Sequence, residues 1–285
     1  MIEHMTENNG SNTAHPDRRF PTWGDLGVLL GIALGAQIAV GIVAAAIALA
    51  LGVDLQHLEP RMQGRYLAAT YFISMSLALA GVLLYRYSRG GRGAVADCST
   101  RRLDPVLLGW CCLLLFATNV VCEPLLDLLP KPADQVGRGF WTSLSLVVFA
   151  PVFEELLCRG VVLGALRAKY GVVRAWLLSS LFFGVLHVQP LLAVNACIIG
   201  LILGFVYMAT GSIWAPMLLH AVNNGAAYLQ LEAGLGDASL REMLGGGAGY
   251  AAVYAAALVV LALSVAAIRR TLSRLDRAEK NRTAA

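Results

Sequence analysis

The chain has 285 residues, 58% of them hydrophobic and only 14% charged, with a mean hydropathy of +0.66. Globular domains average about 45–50% apolar and 25% charged residues, so this composition excludes an ordinary soluble domain, a disordered chain and a small disulfide-stapled scaffold. The net charge of +4 is spread over the connections between apolar blocks and is not gathered on one face, so no nucleic-acid partner is expected.

Residues 1–22 are polar, carry Asn8, Asn9, Gly10, Ser11 and Asn12, and have no apolar stretch behind a basic start. They are expected to form a flexible tail and not a cleaved signal peptide. Apolar blocks follow at Leu26 to Leu51, Tyr66 to Tyr85, Val106 to Val121, Leu144 to Leu166, Ala175 to Pro190, Leu191 to Met208, Ile213 to Leu231 and Tyr250 to Ile268. A spanning helix needs roughly 20 apolar residues. The pattern therefore predicts an all-α polytopic membrane protein, a bundle of about eight transmembrane helices over residues 23–268, with a basic tail at 269–285 and membrane lipids as its surroundings. Only Gln189 and Pro190 separate the fifth block from the sixth. Gly27, Gly31 and Gly35 in the first block, and Gly200 and Gly204 in the sixth, recur every four residues, and such small faces suit close helix packing. No internal repeat of the inverted-transporter kind is present.

Lys and Arg set the expected orientation. The N-terminal tail, the second-to-third, the fourth-to-fifth and the C-terminal connections together carry 16, against 5 in the intervening ones. Both termini are accordingly expected on the cytoplasmic side of the plasma membrane. The six cysteines, Cys98, Cys111, Cys112, Cys122, Cys158 and Cys197, include no CxxC pair. Five lie in or beside apolar runs, where Cys acts as a small hydrophobe.

Ionisable groups are costly inside a span and tend to line a cavity. The apolar blocks hold Glu154, Glu155, Arg159, His187 and His220. On a helix Glu155 and Arg159 share a face and can neutralise each other. Glu154 points about 100° away, which leaves it without that partner and suited to take and return a proton. His220 and Asn224 are four apart on one face of the seventh block. Counted at about 1.5 Å per residue from the cytoplasmic ends, Glu154, His187 and Asn224 come to roughly 18, 20 and 16 Å depth, and His220 to roughly 10 Å. Pro151 and Pro216 precede Glu154 and His220 by three and four residues, where a freed carbonyl and a kink could make room for water.

The strings Glu154-Glu155-Leu-Leu-Cys158-Arg159-Gly160, Phe183-Gly-Val-Leu-His187 and His220-Ala-Val-Asn223-Asn224 resemble the EExxxR, FxxxH and HxxxN motifs of the CAAX protease and bacteriocin-processing (CPBP) family. Its members are also called glutamic-type intramembrane proteases or the Abi family, and the resemblance covers about residues 144–227. It implies an intramembrane endopeptidase of eight helices with a cavity open to cytosol or lipid, acting on a membrane-associated or lipidated protein or peptide: a CAAX tail, a bacteriocin leader or a C-terminal sorting signal. By motif, Glu154 and His187 would activate the attacking water and His220 and Asn224 would stabilise the oxyanion, with Glu155, Arg159 and Phe183 in support. No cofactor is favoured. Were the enzyme a metalloendopeptidase, His187, His220 and Glu154 would be the zinc ligands. Where family members commonly carry an aromatic residue before the motif Arg, this chain has Cys158, read either as a small apolar residue or as a group that widens the cavity or meets a thiol-bearing substrate. Two other readings remain beside the peptidase. One is a catalytically silent scaffold or immunity protein of the same fold; the other is an ion-coupled transporter with Glu154 and the two His as a relay, for which Asn224 is surplus.

Overall fold

The computed structural model describes residues 20–131, 137–236 and 238–284; the N-terminal tail lies almost wholly outside them. Eight longer helical stretches run through the described residues, besides single turns at Leu55–His57 and Leu240–Met243. They are α1 (Trp23–Ala50), α2 (Pro60–Ser88), α3 (Pro105–Leu126), a continuous run α4 over residues 140–170, α5 (Val172–Val185), α6 (Pro190–Thr210), α7 (Trp214–Glu232) and α8 (Gly247–Ala284). Five of these, α1, α2, α3, α6 and α8, are long and apolar enough by length and composition to cross a membrane. The protein is an all-α polytopic membrane protein.

Local chemistry sets several helix starts. Thr22 and Asp25 form a reciprocal capping box at α1, and Asp104 caps α3, with Pro105 in the first position, where a missing N–H costs nothing. α1 packs on α2, α3 on α8 and α5 on α6, while α4 touches α2, α5 and α7. Glycine fits only part of the expected packing. A Cβ at Gly204 would come within 2.9 Å of the Trp176 ring and one at Gly200 within 3.2 Å of Phe183 and Ser180, so this pair does let α6 approach α5. The stripe of Gly27, Gly31 and Gly35 instead meets nothing within 4 Å. Its expected role in packing within the chain is corrected: α1 and α2 close at Gly81, against Ile32.

Cross-contacts sort the connections into two ends. At one end Arg102, before α3, pairs with Asp276 and Glu279 of α8, Arg274 pairs with Asp104 at 3.0 Å, and Ile213 N–H donates to the Asp97 carbonyl at 2.8 Å. At the other, Arg138 N–H donates to the Pro60 carbonyl at 3.0 Å, Gly139 N–H donates to the Tyr228 hydroxyl at 3.0 Å and Leu240 N–H to Glu123. Alternate connections thus share an end. The segment expected as a separate basic tail at 269–285 continues α8 without a break to Ala284.

Two departures matter for the site. The fourth block is not a uniform α-helix: Phe140–Leu144, Ala150–Glu155 and Gly164–Tyr170 alternate with π-helical Ser145–Phe149 and Leu156–Leu163. The fifth block ends early, since α5 has 14 residues, about 21 Å, and His187 lies in the turn beyond it and not within a span.

Candidate active site

The first π segment explains how α7 is tied to α4. Ala150 N–H bonds the Ser145 carbonyl, five residues back. The next bond in that register would run from residue 151 to Leu146, but Pro151 has no N–H to give. The vacant Leu146 carbonyl accepts the side-chain Nδ2 of Asn224 at 3.0 Å. The expected freed carbonyl near Pro151 is therefore present. Pro216 differs, because it is the third residue of α7, where the helix has no bond to lose.

Glu155 and Arg159 are both fully buried and pair at 3.0 Å, as their spacing requires. The guanidinium also donates to the Gly200 carbonyl at 3.0 Å and lies 4.6 Å from the centre of the Phe183 ring. His220 joins the same carboxylate oxygen, with Nδ1 2.9 Å from Glu155 Oε1. An ionised carboxylate only accepts, so Nδ1 carries the hydrogen of this bond. The opposite ring atom, Nε2, then faces Glu154 Oε2 across 3.7 Å, beyond direct hydrogen-bond distance.

Glu154 is not left unpartnered, which corrects the expectation for it. The Tyr71 hydroxyl of α2 donates to its Oε1 at 2.7 Å. Nothing in the local sequence announces Tyr71, an aromatic residue in an apolar block 83 positions away. His187 Nδ1 lies 2.9 Å from the Phe183 carbonyl. A carbonyl only accepts, so Nδ1 donates and Nε2 is left clear of this bond. Both imidazoles meet the Phe183 ring edge to face, His187 at 5.0 Å and His220 at 5.6 Å. The residue after His187, Val188, is held at φ 58°, a left-handed conformation unfavourable for a β-branched side chain.

Asn224 is itself held by a chain of amides. Asn119 Nδ2 of α3 donates to Asn223 Oδ1 at 2.9 Å, and Asn223 Nδ2 reaches Asn224 Oδ1 at 3.4 Å. Because the Leu146 carbonyl fixes which end of Asn224 is the donor, every amide in the chain is oriented. One N–H of Asn224 stays uncommitted. In the sequence Asn119 stands out only as a polar, un-ionisable amide within an apolar block.

Cys158 is fully buried in the core beside Leu157 and Val161, as a small apolar residue would be. Among the described residues no group of three or more His, Cys, Asp or Glu side chains comes together as a metal site.

Comparison with known proteins places this constellation. Residues 137–226 match the family model described as "Type II CAAX prenyl endopeptidase Rce1-like", a segment that contains every motif residue from Glu154 to Asn224. The chain is 34% identical over 88 residues to the protein named "Putative membrane peptidase YdiL" in Bacillus subtilis (strain 168), a match covering 30% of this chain and 35% of that protein. The chain therefore spans about a third of the length of this curated relative. No solved structure matches it significantly. The CPBP resemblance carried by the three motifs is borne out.

Proposed function

We propose that this protein is an intramembrane endopeptidase of the CAAX-protease type, which uses Glu154 to activate water against a peptide bond of a membrane-associated or lipidated polypeptide. The observation that carries the reading is the pair of differently held carboxylates. Glu155 is committed to Arg159 and His220, whereas Glu154 receives only the Tyr71 hydroxyl and keeps Oε2 toward His220. One acid is fixed in an ion network; its neighbour is available for proton transfer.

In this mechanism Glu154 takes a proton from water while His187 Nε2 orients that water. The hydroxide adds to the carbonyl carbon. The oxyanion receives hydrogen bonds from an N–H of Asn224 and from the ring of His220, whose Nδ1 Glu155 holds. Glu154 then returns the proton to the leaving amine as the C–N bond breaks, giving a new carboxylate and a new amine. No step calls on a metal. The substrate, the membrane lipids as partners, and a plasma-membrane location with both termini cytoplasmic belong to the same proposal.

The test is mass spectrometry of new N- and C-termini in membranes from cells carrying wild-type or Glu154→Gln protein at equal abundance. Termini present only with the wild type support the reading. Identical sets in the two would contradict it.

A further inference from the structure

Arg61 and Arg65 lie near the start of α2, one turn apart on the same face, and both are exposed. Arg65 meets only the sulfur of Met62, at 3.7 Å, and belongs to none of the ion pairs among the described residues. Glu232, an acid at this end, is held by the Tyr228 hydroxyl and the Gly139 N–H. Arg65 stands on a ridge between two apolar grooves. One, of about 710 Å³, runs between α1 and α2, where Tyr66, Thr70, Ile73 and Leu77 line it. The other, of about 510 Å³, runs between α2 and α4 and is lined by Ala68, Phe72, Trp141 and Phe149. Arg65 and Ala69 belong to both walls. At about 100° per residue these two mark the outward line of α2, with residues 66, 70, 73 and 77 on one flank and 68 and 72 on the other.

We propose that this ridge binds one anionic diacyl glycerophospholipid, with its phosphate on Arg65, its glycerol over Ala69 and one acyl chain in each groove. Two apolar channels that share a cation match a molecule with one charged head and two tails, whereas a single acyl or isoprenoid chain would fill only one of them. The guanidinium fork suits a phosphate, which it can hold through two hydrogen bonds. Ala69 lies one turn, about 6 Å, deeper than Arg65, and its small side chain leaves room where the tails part. Tyr66 stands beside Arg65 in one groove and Trp141 in the other, and such amphipathic rings sit at the headgroup level of a bilayer. Arg61, one turn nearer the α1–α2 connection, repels a choline or ethanolamine cation and tolerates an uncharged headgroup such as glycerol. Lys and Arg are scarce in the connections at this end, yet Arg61, Arg65 and Arg138 are three of the five, and the Arg138 N–H donates to the Pro60 carbonyl at the start of α2. Cations gathered on the side that otherwise lacks them call for an anion.

Native mass spectrometry of the purified full chain in detergent tests this, with four probes that differ by one feature each. They are dioleoyl phosphatidylglycerol, its lyso form with one acyl chain, dioleoyl phosphatidylcholine, and dioleoylglycerol, which lacks the phosphate. Expected is a first phosphatidylglycerol held at least about tenfold more tightly than each of the others, and weakened about tenfold by Arg65→Ala, the scale of a lost hydrogen bond to a charged group. Ala69 is exposed, so Ala69→Leu keeps the fold, and by filling the ridge it should weaken the same lipid. Arg241→Ala, in the α7–α8 connection at the same end, should leave its affinity unchanged. Equal affinity in wild type and Arg65→Ala overturns the site. Lyso-phosphatidylglycerol bound as tightly as the diacyl form would show a single-chain occupant, and phosphatidylcholine bound as tightly would remove the headgroup selection; either result overturns the proposal. None of the residues lining the two grooves belongs to the candidate active site. Glu154→Gln should therefore bind the lipid as the wild type does, whatever becomes of the endopeptidase reading.

Discussion

Glu155 accepts from both Arg159 and His220 through one oxygen, and its second oxygen is buried with no partner, as is Nε of Arg159. Removing either member of such a pair strands a charge, which costs about 3–5 kcal/mol. Glu155→Ala and Arg159→Ala should each lower folded yield and melting temperature, and the double variant should recover part of the loss. Additive losses in thermal-shift measurements would show that the pair is not coupled. Tyr71→Phe removes only a hydroxyl. A hydrogen bond to a charged group contributes about 1.5–3 kcal/mol, so kcat/KM should fall roughly 10- to 100-fold while the melting temperature stays near that of the wild type. The spacing of Glu155 and Arg159 revealed their pairing directly, because four residues on a helix is a contact. Tyr71 was hidden because its contact is made between helices, and no local period records it.

At the scale of the helix, the π segments in α4 decide where the chemistry sits. The apolar periodicity of Leu144 to Leu166 marked a helix, and Pro151 marked the place where its bonding must fail. The π register itself was not legible, since it is settled by what α7 offers in exchange for the lost bond. Asn224 makes that exchange, and Asn119 steadies it from α3 through Asn223. Asn119→Leu keeps the volume and deletes the donor. Steady-state kinetics should show kcat lowered by roughly tenfold with KM unchanged, less than the loss of 10²–10³ typical when an oxyanion donor is removed outright. A change in KM and folded yield with kcat intact would instead assign Asn119 to packing. The end of α5 was misplaced in the sequence for a related reason: Val185 to Pro190 reads as apolar, yet the chain turns there and Val188 takes a positive φ.

Across the whole molecule, contacts gather the α2–α3 and α6–α7 connections with the distal part of α8 at one end, and the α1–α2, α3–α4 and α7–α8 connections at the other. That alternation follows from an even number of traversals, and the composition blocks already implied it. The proposed orientation rests on charge: 16 Lys and Arg fall on one set of connections and 5 on the other. Reporter fusions after Ala285 and in the loop near Gly246 should therefore report opposite sides, with the C-terminal one cytoplasmic. An exported C-terminus would invert the orientation.

The central claim is that Glu154, and not a metal, activates the water. Its most direct test is the turnover of purified wild-type and Glu154→Gln protein on one peptide found by terminus mapping, in buffer containing a strong chelator. The amide keeps the shape of the side chain but gives up its basicity, so the expected result is full wild-type activity under chelation and a loss of at least about 10²-fold in the variant. Activity that disappears with the chelator and returns with added zinc, or a Gln variant that turns over at the wild-type rate, would contradict the account.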